Sequence, residues 1–552
     1  MAQGASGRIE QAHAPSPAWR WLIVACSMAA LLWVVMARVL GPSDLWDQTQ
    51  PKTVAYTTDI IVHGRWLLPR ERGEYPATKP PLYNWLAALA VRWLGCASEV
   101  GHKLPSLAAM CLCWLAIVRL GRAVFGARGA GGELVGWLGG LAFAANYAIF
   151  KLGYLARPDM LLTLWLLLGW IAVTWLLIEA GDDGSLGATD AGSRPAARRR
   201  WLAAAFWLCV GLAGLTKGPA ILPLLVYAVI AARLIGGRWR AINALYWWWG
   251  LPASLVVIGA WVWGVWRVDP GHLWNKLWMA EIAGRVTGTG TEGADGGPLE
   301  LLTGAPNMVV YYLLRFLPWS VLSILAMAVL WRRDRAGGPR AWRGLGTAGA
   351  ILHGSALFVV IVVALYTLSA GKRADYIAAA FGPGSILAAW WLVHGRPRLA
   401  LRAPVLAPAA AALVLLALTL HNQWQPAAPC RDFAANIESF ARQARQRLQA
   451  EPRPVAFWST GSTHLQSLLG LNEPDGQDVT LELIDRGEPC WVVAGQKRQA
   501  PSTFEGWLPK HRDGVRVTAV LRSAMMPRAV GWREQVTLYL VEPAEAPTPP
   551  TD

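Results

Sequence analysis

A mainly α, polytopic membrane fold of about eleven transmembrane helices, followed by a small soluble α/β domain, is what this 552-residue sequence predicts. Three observations carry that expectation. Apolar runs close to the ~20 residues needed to cross a hydrocarbon core recur as far as residue 420. Basic residues crowd into alternate loops between those runs. Beyond about residue 425 the composition becomes that of a soluble domain, which places the boundary between 1–425 and 426–552.

Composition agrees with this division. Hydrophobic residues make up 54% of the chain and charged residues 16%, yet the mean hydropathy is only +0.32, so a sizeable part must be polar. The 33 Trp residues suit interfacial belts, where an amphipathic ring prefers the headgroup region. A net charge of +16 would fit a nucleic-acid binder, but the cations lie in short loops between apolar segments, so no nucleic-acid partner is expected.

The expected spans are 20–40, 105–125, 134–151, 160–180, 201–216, 219–236, 246–267, 307–331, 348–369, 375–394 and 402–420. Arg119, Arg122 and Arg128 follow the second; Arg194, Arg198, Arg199 and Arg200 follow the fourth; Arg238 and Arg240 follow the sixth. With further basic loops at 331–343 and 394–402, every cluster falls on one side if the N-terminus is cytoplasmic. An odd number of spans then puts the C-terminal domain outside. The first apolar segment lacks a cleavage site and reads as an uncleaved anchor.

Segment 82–95 is too short to span. Its helical face of Leu82, Trp85, Leu86, Leu89 and Trp93 predicts an interfacial helix. In the tail, Phe433, Ile437, Phe440 and Ala444 predict an amphipathic helix over 431–450. The runs 454–458, 479–484, 490–495, 515–521 and 535–542 predict strands. Cys26, Cys96, Cys111, Cys113 and Cys209 accompany apolar segments without metal-ligand spacing. Cys430 and Cys490 share an external, disulfide-permissive domain and are expected to bridge.

Candidate chemistry lies on the outer side. The first outer loop, 41–104, carries Asp47, Lys52, Asp59, Arg65, Arg70, Glu71, Arg72, Glu74 and Lys79. Taken alone this is an ordinary solvated loop; beside Trp residues and an amphipathic helix it suits a charged lipid headgroup. Asp159 opens the fourth span, a place where an Asp often merely caps a helix. Lys217 and Gly218 form an outer turn. Lys372, Arg373 and Tyr376 lie between two apolar runs, and that basic pair breaks the positive-inside pattern. Cations retained on that side point to an anionic ligand such as phosphate. The stretch GTGTEG at 288–293 matches a dinucleotide pattern but has no strand before it, so it reads as a flexible loop.

The ordered set Asp47-Gln48, Gly64-x-Trp66-x-x-Pro69, Tyr75-x-x-x-Lys79-Pro80-Pro81-Leu82, Arg157-Pro158-Asp159-Met160, Thr216-Lys217-Gly218-Pro219 and Ser369-x-x-Lys372-x-x-x-Tyr376 resembles the ArnT-type glycosyltransferases. These are relatives of protein O-mannosyltransferases with the membrane-embedded GT-C fold, and the resemblance covers about residues 20 to 420. It implies that Asp47 is the catalytic base or acceptor-orienting group and Asp159 a second acidic position at the site's edge. Lys79 would contact the phosphate of a polyprenyl-phosphate-linked sugar. Tyr75, Lys217, Lys372, Arg373 and Tyr376 would complete substrate binding, with Arg285 as a further phosphate ligand. No cofactor is implied. The family's Phe-Glu-Lys-Pro is replaced by Ala77-Thr78-Lys79-Pro80, which removes a candidate metal ligand, so no metal is expected. Pro51 stands where aminoarabinose transferases have Arg-Tyr, which argues against lipid A aminoarabinose transfer.

The expected activity is inverting transfer of a sugar, hexosyl or pentosyl, from a polyprenyl-phosphate carrier. The acceptor is a lipid, a glycan or a protein, at the periplasmic face of a bacterial inner membrane. A transporter or lipid flippase is the alternative, although the polar motifs sit at span ends and not at the midplane. A scaffold that has lost activity is a third, opposed by the retention of Asp47, Lys79 and Asp159.

Overall fold

The computed structural model describes residues 17–45, 49–95, 98–126, 130–182, 194–237, 239–275, 306–337, 346–369, 373–395, 397–424, 428–460, 463–496, 503–525 and 535–544. Asp47, Arg285, Lys372, Cys96 and the loop at 288–293 lie outside them. The chain divides into two compact units. One comprises Met1–Leu40, Thr78–Tyr83 and Pro105–Leu420; the other comprises Gly41–Ala77, Asn84–Leu104 and His421–Asp552.

The first unit is helical because its sequence is a succession of apolar runs whose backbone groups must pair internally in lipid. Its helices are α1 (Pro17–Val39), the bulk of α4 (Glu99–Phe125), α5 (Ala130–Ala144), α6 (Tyr147–Leu152), α7 (Asp159–Asp182), α8 (Arg194–Lys217), α9 (Leu222–Leu234), α10 (Trp247–Val268), α11 (Pro306–Arg315), α12 (Trp319–Gly337), α13 (Thr347–Leu368), α14 (Phe381–His394) and most of α15 (Pro397–Trp424). α2 and α3 precede α4 and are described below. Among the described residues, eight helices are long and apolar enough to cross a membrane, or nine if the bent pair α11–α12 is one span.

Two features reconcile that count with the larger number expected. The stretch Ala196–Leu234 counts once at 39 residues. Straight, it would be about 58 Å long, roughly twice the hydrocarbon core. The 3₁₀ turn Gly218–Ile221 divides it into α8 and α9. There Gly218 takes a left-handed φ of 55°, which a side chain would strain. The short apolar helix α5 breaks at Asn146, whose side chain accepts from the Ile149 amide (3.0 Å) and starts α6.

The span expected over 307–331 is broken: α11 and α12 meet at 115° across Phe316-Leu317-Pro318. Pro318 cannot continue the hydrogen-bond ladder of α11. The Ser320 hydroxyl instead donates to the Leu313 carbonyl (2.7 Å). The bend leaves Arg315 at the end of α11.

In the second unit the first loop is not a simple solvated connection. It folds as α2 (Gln50–His63) and a two-stranded hairpin, β1 (Arg70–Glu71) with β2 (Tyr75–Pro76). Asp59 is fully buried and accepts from His63 Nδ1 (2.8 Å), Arg65 (3.1 Å), the Arg70 amide (2.7 Å) and Asn472 Nδ2 (2.9 Å). A buried carboxylate with that many donors holds the loop to the C-terminal segment. Lys103, also fully buried, pairs with Asp44 and Glu99.

The helix expected over 82–95 is present as α3 (Leu82–Leu94). It buries Tyr83, Asn84, Ala87, Ala88 and Val91 while leaving Leu86, Leu89 and Trp93 exposed, the division a helix at an interface needs.

The C-terminal segment forms α16 (Ala428–Ala450) and a four-stranded sheet in the order β3 (Val455–Trp458), β4 (Cys490–Gln496), β6 (Gln535–Pro543), β5 (Val515–Arg522). β3 and β4 are parallel and the other pairs antiparallel. Side-chain alternation along β4 supplies two cores. Trp491 and Val493 pack with Ile437, Phe440 and Ala444 of α16, whereas Cys490, Val492 and Ala494 face Phe504 and Leu508.

The strand expected at 479–484 is instead the helix α18 (Gln477–Ile484), which follows α17 (Thr463–Leu469). A parallel β3–β4 pair needs a crossover, and Thr480 and Ile484, four residues apart, give α18 its buried face. Cys490 is a free buried thiol, against the expected bridge, with burial pushing its pKa up to about 11. The side chain of Cys430 lies outside the described residues.

Candidate functional site

The strongest concentration of chemistry in the first unit lies where several helix ends converge. Residues 153–158 turn the chain from α6 into α7. Their carbonyls are held by side chains: Tyr83 donates to Leu155 O (3.0 Å), and Ser106 donates to Leu155 O (2.6 Å) and Arg157 O (3.1 Å). This pins the backbone of Arg157, whose side chain is almost fully buried. Burial opposes its charge, but the carboxylates of Asp159 and Asp375 prevail and raise its pKa.

Arg157 joins two acids. One guanidinium nitrogen lies 3.0 Å from Asp159 Oδ2 and another 2.9 Å from Asp375 Oδ2. The second oxygen of Asp375 accepts from Arg315 at 2.7 Å. The second oxygen of Asp159 pairs with Lys217. Three of these charges sit at compatible helix ends: Asp159 opens α7, while Lys217 and Arg315 close α8 and α11. Asp375 and Tyr376 come from the 3₁₀ segment Ala374–Ala380 that leads into α14.

Aromatic rings surround the cations. Lys217 Nζ stands 4.2 Å from the centroid of Tyr376, whose ring lies 5.2 Å from Tyr366. The Arg315 guanidinium lies over Tyr147 (5.4 Å) and Tyr311 (5.5 Å). Such faces stabilise cations without neutralising them.

Two cations remain: Arg373 is exposed, and Lys79 is half-buried. Lys79 sits in the loop before α3, and among the described residues no carboxylate lies within ion-pairing distance of it. Its ammonium is pushed down to about 8, first by desolvation and then by the positive charges of Lys217, Arg157 and Arg373, against the pull of Asp159. Five cationic side chains (Lys79, Arg157, Lys217, Arg315 and Arg373) thus share a neighbourhood with two carboxylates, Asp159 and Asp375. That arrangement can hold an anion bearing more than one charge.

Of the residues singled out from sequence, Lys79, Asp159, Lys217, Arg373 and Tyr376 come together here. Tyr75 belongs to the second unit, in β2, with its side chain exposed. Asp47, Arg285 and Lys372 are outside the described residues. Sequence reasoning missed Arg157, Asp375 and Arg315. Arg157 and Asp375 stood inside quoted motifs, two residues before Asp159 and one before Tyr376. Arg315 had its own signal, a lone charge inside an apolar run, which marks a functional position by default. Among the described residues no three His, Cys, Asp or Glu side chains gather as a metal would require.

No family model matches the sequence. Two solved structures resemble it over most of its length. One is ArnT from Cupriavidus metallidurans bound to undecaprenyl phosphate, with a TM-score of 0.65 and 18% identity, covering 95% of this chain and 98% of that one. The other is the same protein in the apo state, with a TM-score of 0.65, 17% identity and the same coverage. At these identities the likeness is one of architecture. The chain has the polytopic GT-C fold of ArnT, with a small C-terminal α/β region.

Proposed function

We propose that this chain is a glycosyltransferase that moves a sugar from a polyprenyl-phosphate carrier to an acceptor on the periplasmic face of a bacterial inner membrane, inverting the anomeric carbon. The observation that carries the reading is the excess of cations where the spans end. A donor phosphodiester carries one negative charge, and its phosphate gains a second as the anomeric C–O bond breaks and the electron pair moves to oxygen. Fixed cations favour that added charge by roughly 4 kcal/mol for a contact of about 4 Å at an effective dielectric near 20. The similar fold of a protein crystallised with undecaprenyl phosphate supports the same class of carrier.

Roles follow from charge and pairing. Lys79 is assigned to the donor phosphate because it is half-buried, unlike the exposed Arg373, and among the described residues no carboxylate lies within ion-pairing distance of it. Asp375 holds Arg157 and Arg315 apart at a fixed spacing. Asp159, whose two oxygens are taken up by Lys217 and Arg157, serves to orient those cations. The base that takes the acceptor hydroxyl proton is then Asp47, on the strength of its place in the motif set; for a phosphate acceptor it would only orient. Residues 426–552 form a periplasmic domain in this reading, as the basic loops require.

The test is transfer by the purified protein in proteoliposomes from a panel of polyprenyl-phosphate sugars. Expected is release of polyprenyl phosphate coupled to formation of an inverted glycoside. Vectorial movement of a lipid or solute with no covalent product would overturn the proposal.

A further inference from the structure

A second site stands at the other end of α8. Counting from Lys217 back to Arg200, the helix rises roughly 25 Å, close to the thickness of a hydrocarbon core. There a shallow, open pocket of about 320 Å³ is lined by Arg200, Trp201 and Ala204 of α8, by Tyr246, which caps α10, and by Trp249 in its first turn. Its volume falls at the lower end of the ~300–1,000 Å³ usual for ligand pockets.

The walls are preformed. Tyr246 adopts a left-handed conformation (φ 49°), a strained choice for a residue with a Cβ, and its ring lies 5.4 Å from Trp248 and 6.2 Å from Trp249. The turn is locked from behind, because Trp207 Nε1 donates to Leu245 O (2.7 Å) and Ser254 donates to Trp207 O (2.7 Å). Gly250 packs so closely on the Trp207 indole that a Cβ would lie 2.0 Å from the ring.

Charge and polarity identify the occupant. The neighbouring Arg198 is paired with Glu179 (3.1 Å), but among the described residues the lining includes Arg200 and no acidic residue. Exposed indoles accompany it: Trp201 is 76% exposed, and Trp247 and Trp248, which precede Trp249 in the chain, are about half exposed. Indoles settle at the headgroup boundary, and a guanidinium binds phosphate through two parallel hydrogen bonds. One and two turns further along the same helix faces, Leu208 and Val256 are exposed and apolar, suited to acyl chains.

We propose that this cavity is a binding site for an anionic glycerophospholipid, its phosphate on Arg200, its glycerol among Trp201, Tyr246 and Trp249, and its chains along α8 and α10. The site lies at the opposite end of α8 from the ion network and is independent of the sugar-transfer reading.

Native mass spectrometry and thermal melting of the full-length protein, with phosphatidylglycerol or phosphatidylcholine added to detergent micelles, test it. Phosphatidylglycerol is expected to bind in preference and to raise the melting temperature. Arg200→Ala and Arg200→Gln should each weaken phosphatidylglycerol about fivefold, the worth of one cation at a membrane surface, and leave phosphatidylcholine unchanged. Arg200→Lys should retain most of the preference, and Arg516→Ala in the soluble sheet should match wild type. Equal affinity for the two lipids, or undiminished phosphatidylglycerol binding in both neutral Arg200 variants, overturns the proposal. So does glycerol phosphate binding as tightly as the lipid, which would make this a site for a free phosphate.

Discussion

The charge on Lys79 offers the most discriminating test of the proposed donor site. In the donor-free protein its ammonium titrates near 8, against an ordinary value of about 10.4, so the charged form is disfavoured there by roughly 3 kcal/mol. A bound phosphodiester supplies the missing anion and draws the pKa back up, so donor binding above pH 8 must be accompanied by proton uptake. A diester stays anionic throughout, which leaves Lys79 as the titrating partner. From those values the affinity should fall about tenfold between pH 7 and pH 9. The donor-free protein should show the opposite trend in stability. Between about 8 and 10.4 the unfolded chain binds the extra proton, so the folded state gains as pH rises through that window. The assay is equilibrium binding of a polyprenyl phosphodiester lacking a transferable sugar, measured across pH for wild type, Lys79→Met and Lys79→Arg. Lys79→Met should bind weakly and without the pH 8 transition. Lys79→Arg should recover part of the affinity and lose the transition, since a guanidinium stays charged. A wild-type profile flat to pH 9, or an unchanged transition in Lys79→Arg, would refute the assignment of the donor phosphate to Lys79.

Other expectations can be checked alongside. Asp47→Asn should lower sugar transfer by a hundredfold or more with expression intact, read as turnover in proteoliposomes; a loss within about tenfold would exclude general-base assistance. Asp375→Asn removes the anion between Arg157 and Arg315 and should lower both melting temperature and turnover, since a buried pair that loses one partner costs about 3–5 kcal/mol; wild-type melting would show the clamp to be dispensable. His464, buried with no hydrogen-bond partner on either ring nitrogen, is pushed down to about 4 by desolvation and by Lys103 and His102. Below pH 6.5 its unfolded form takes up the proton, so stability falls through pH 4, by up to about 3 kcal/mol, and His464→Leu should flatten that acid limb in melting curves. Cysteine-accessibility labelling should find positions near 190 and 335 cytoplasmic and positions near 290 and 500 periplasmic; labelling of 500 from the cytoplasm alone would reverse the proposed face.

The sequence by itself determined the helical membrane architecture, the helix α3, and α16 with the four strands of the sheet region. Those features depend on local information: apolar length, side-chain period and the composition of flanking loops. It also named Asp159, Lys217 and Arg373, because charges kept at the ends of apolar spans are costly and stand out, and Lys79 and Tyr376 through the ordered motifs. The tertiary structure decided what those charges do. Asp159 could pass for a helix cap until Lys217 and Arg157 were seen on its two oxygens. Asp375 and Arg315, 60 positions apart, acquire a role only when the end of α11 meets the 3₁₀ segment before α14. The strand expected at 479–484 became a helix for a similar reason, since a crossover between β3 and β4 overrides the β propensity of Val479, Thr480 and Ile484. Asp59 shows the same limit: a carboxylate in a charged loop reads as solvated until folding buries it and brings Asn472 to it from the far end of the chain. Burial and pairing are properties of the folded contact set, and no periodicity along the chain encodes them.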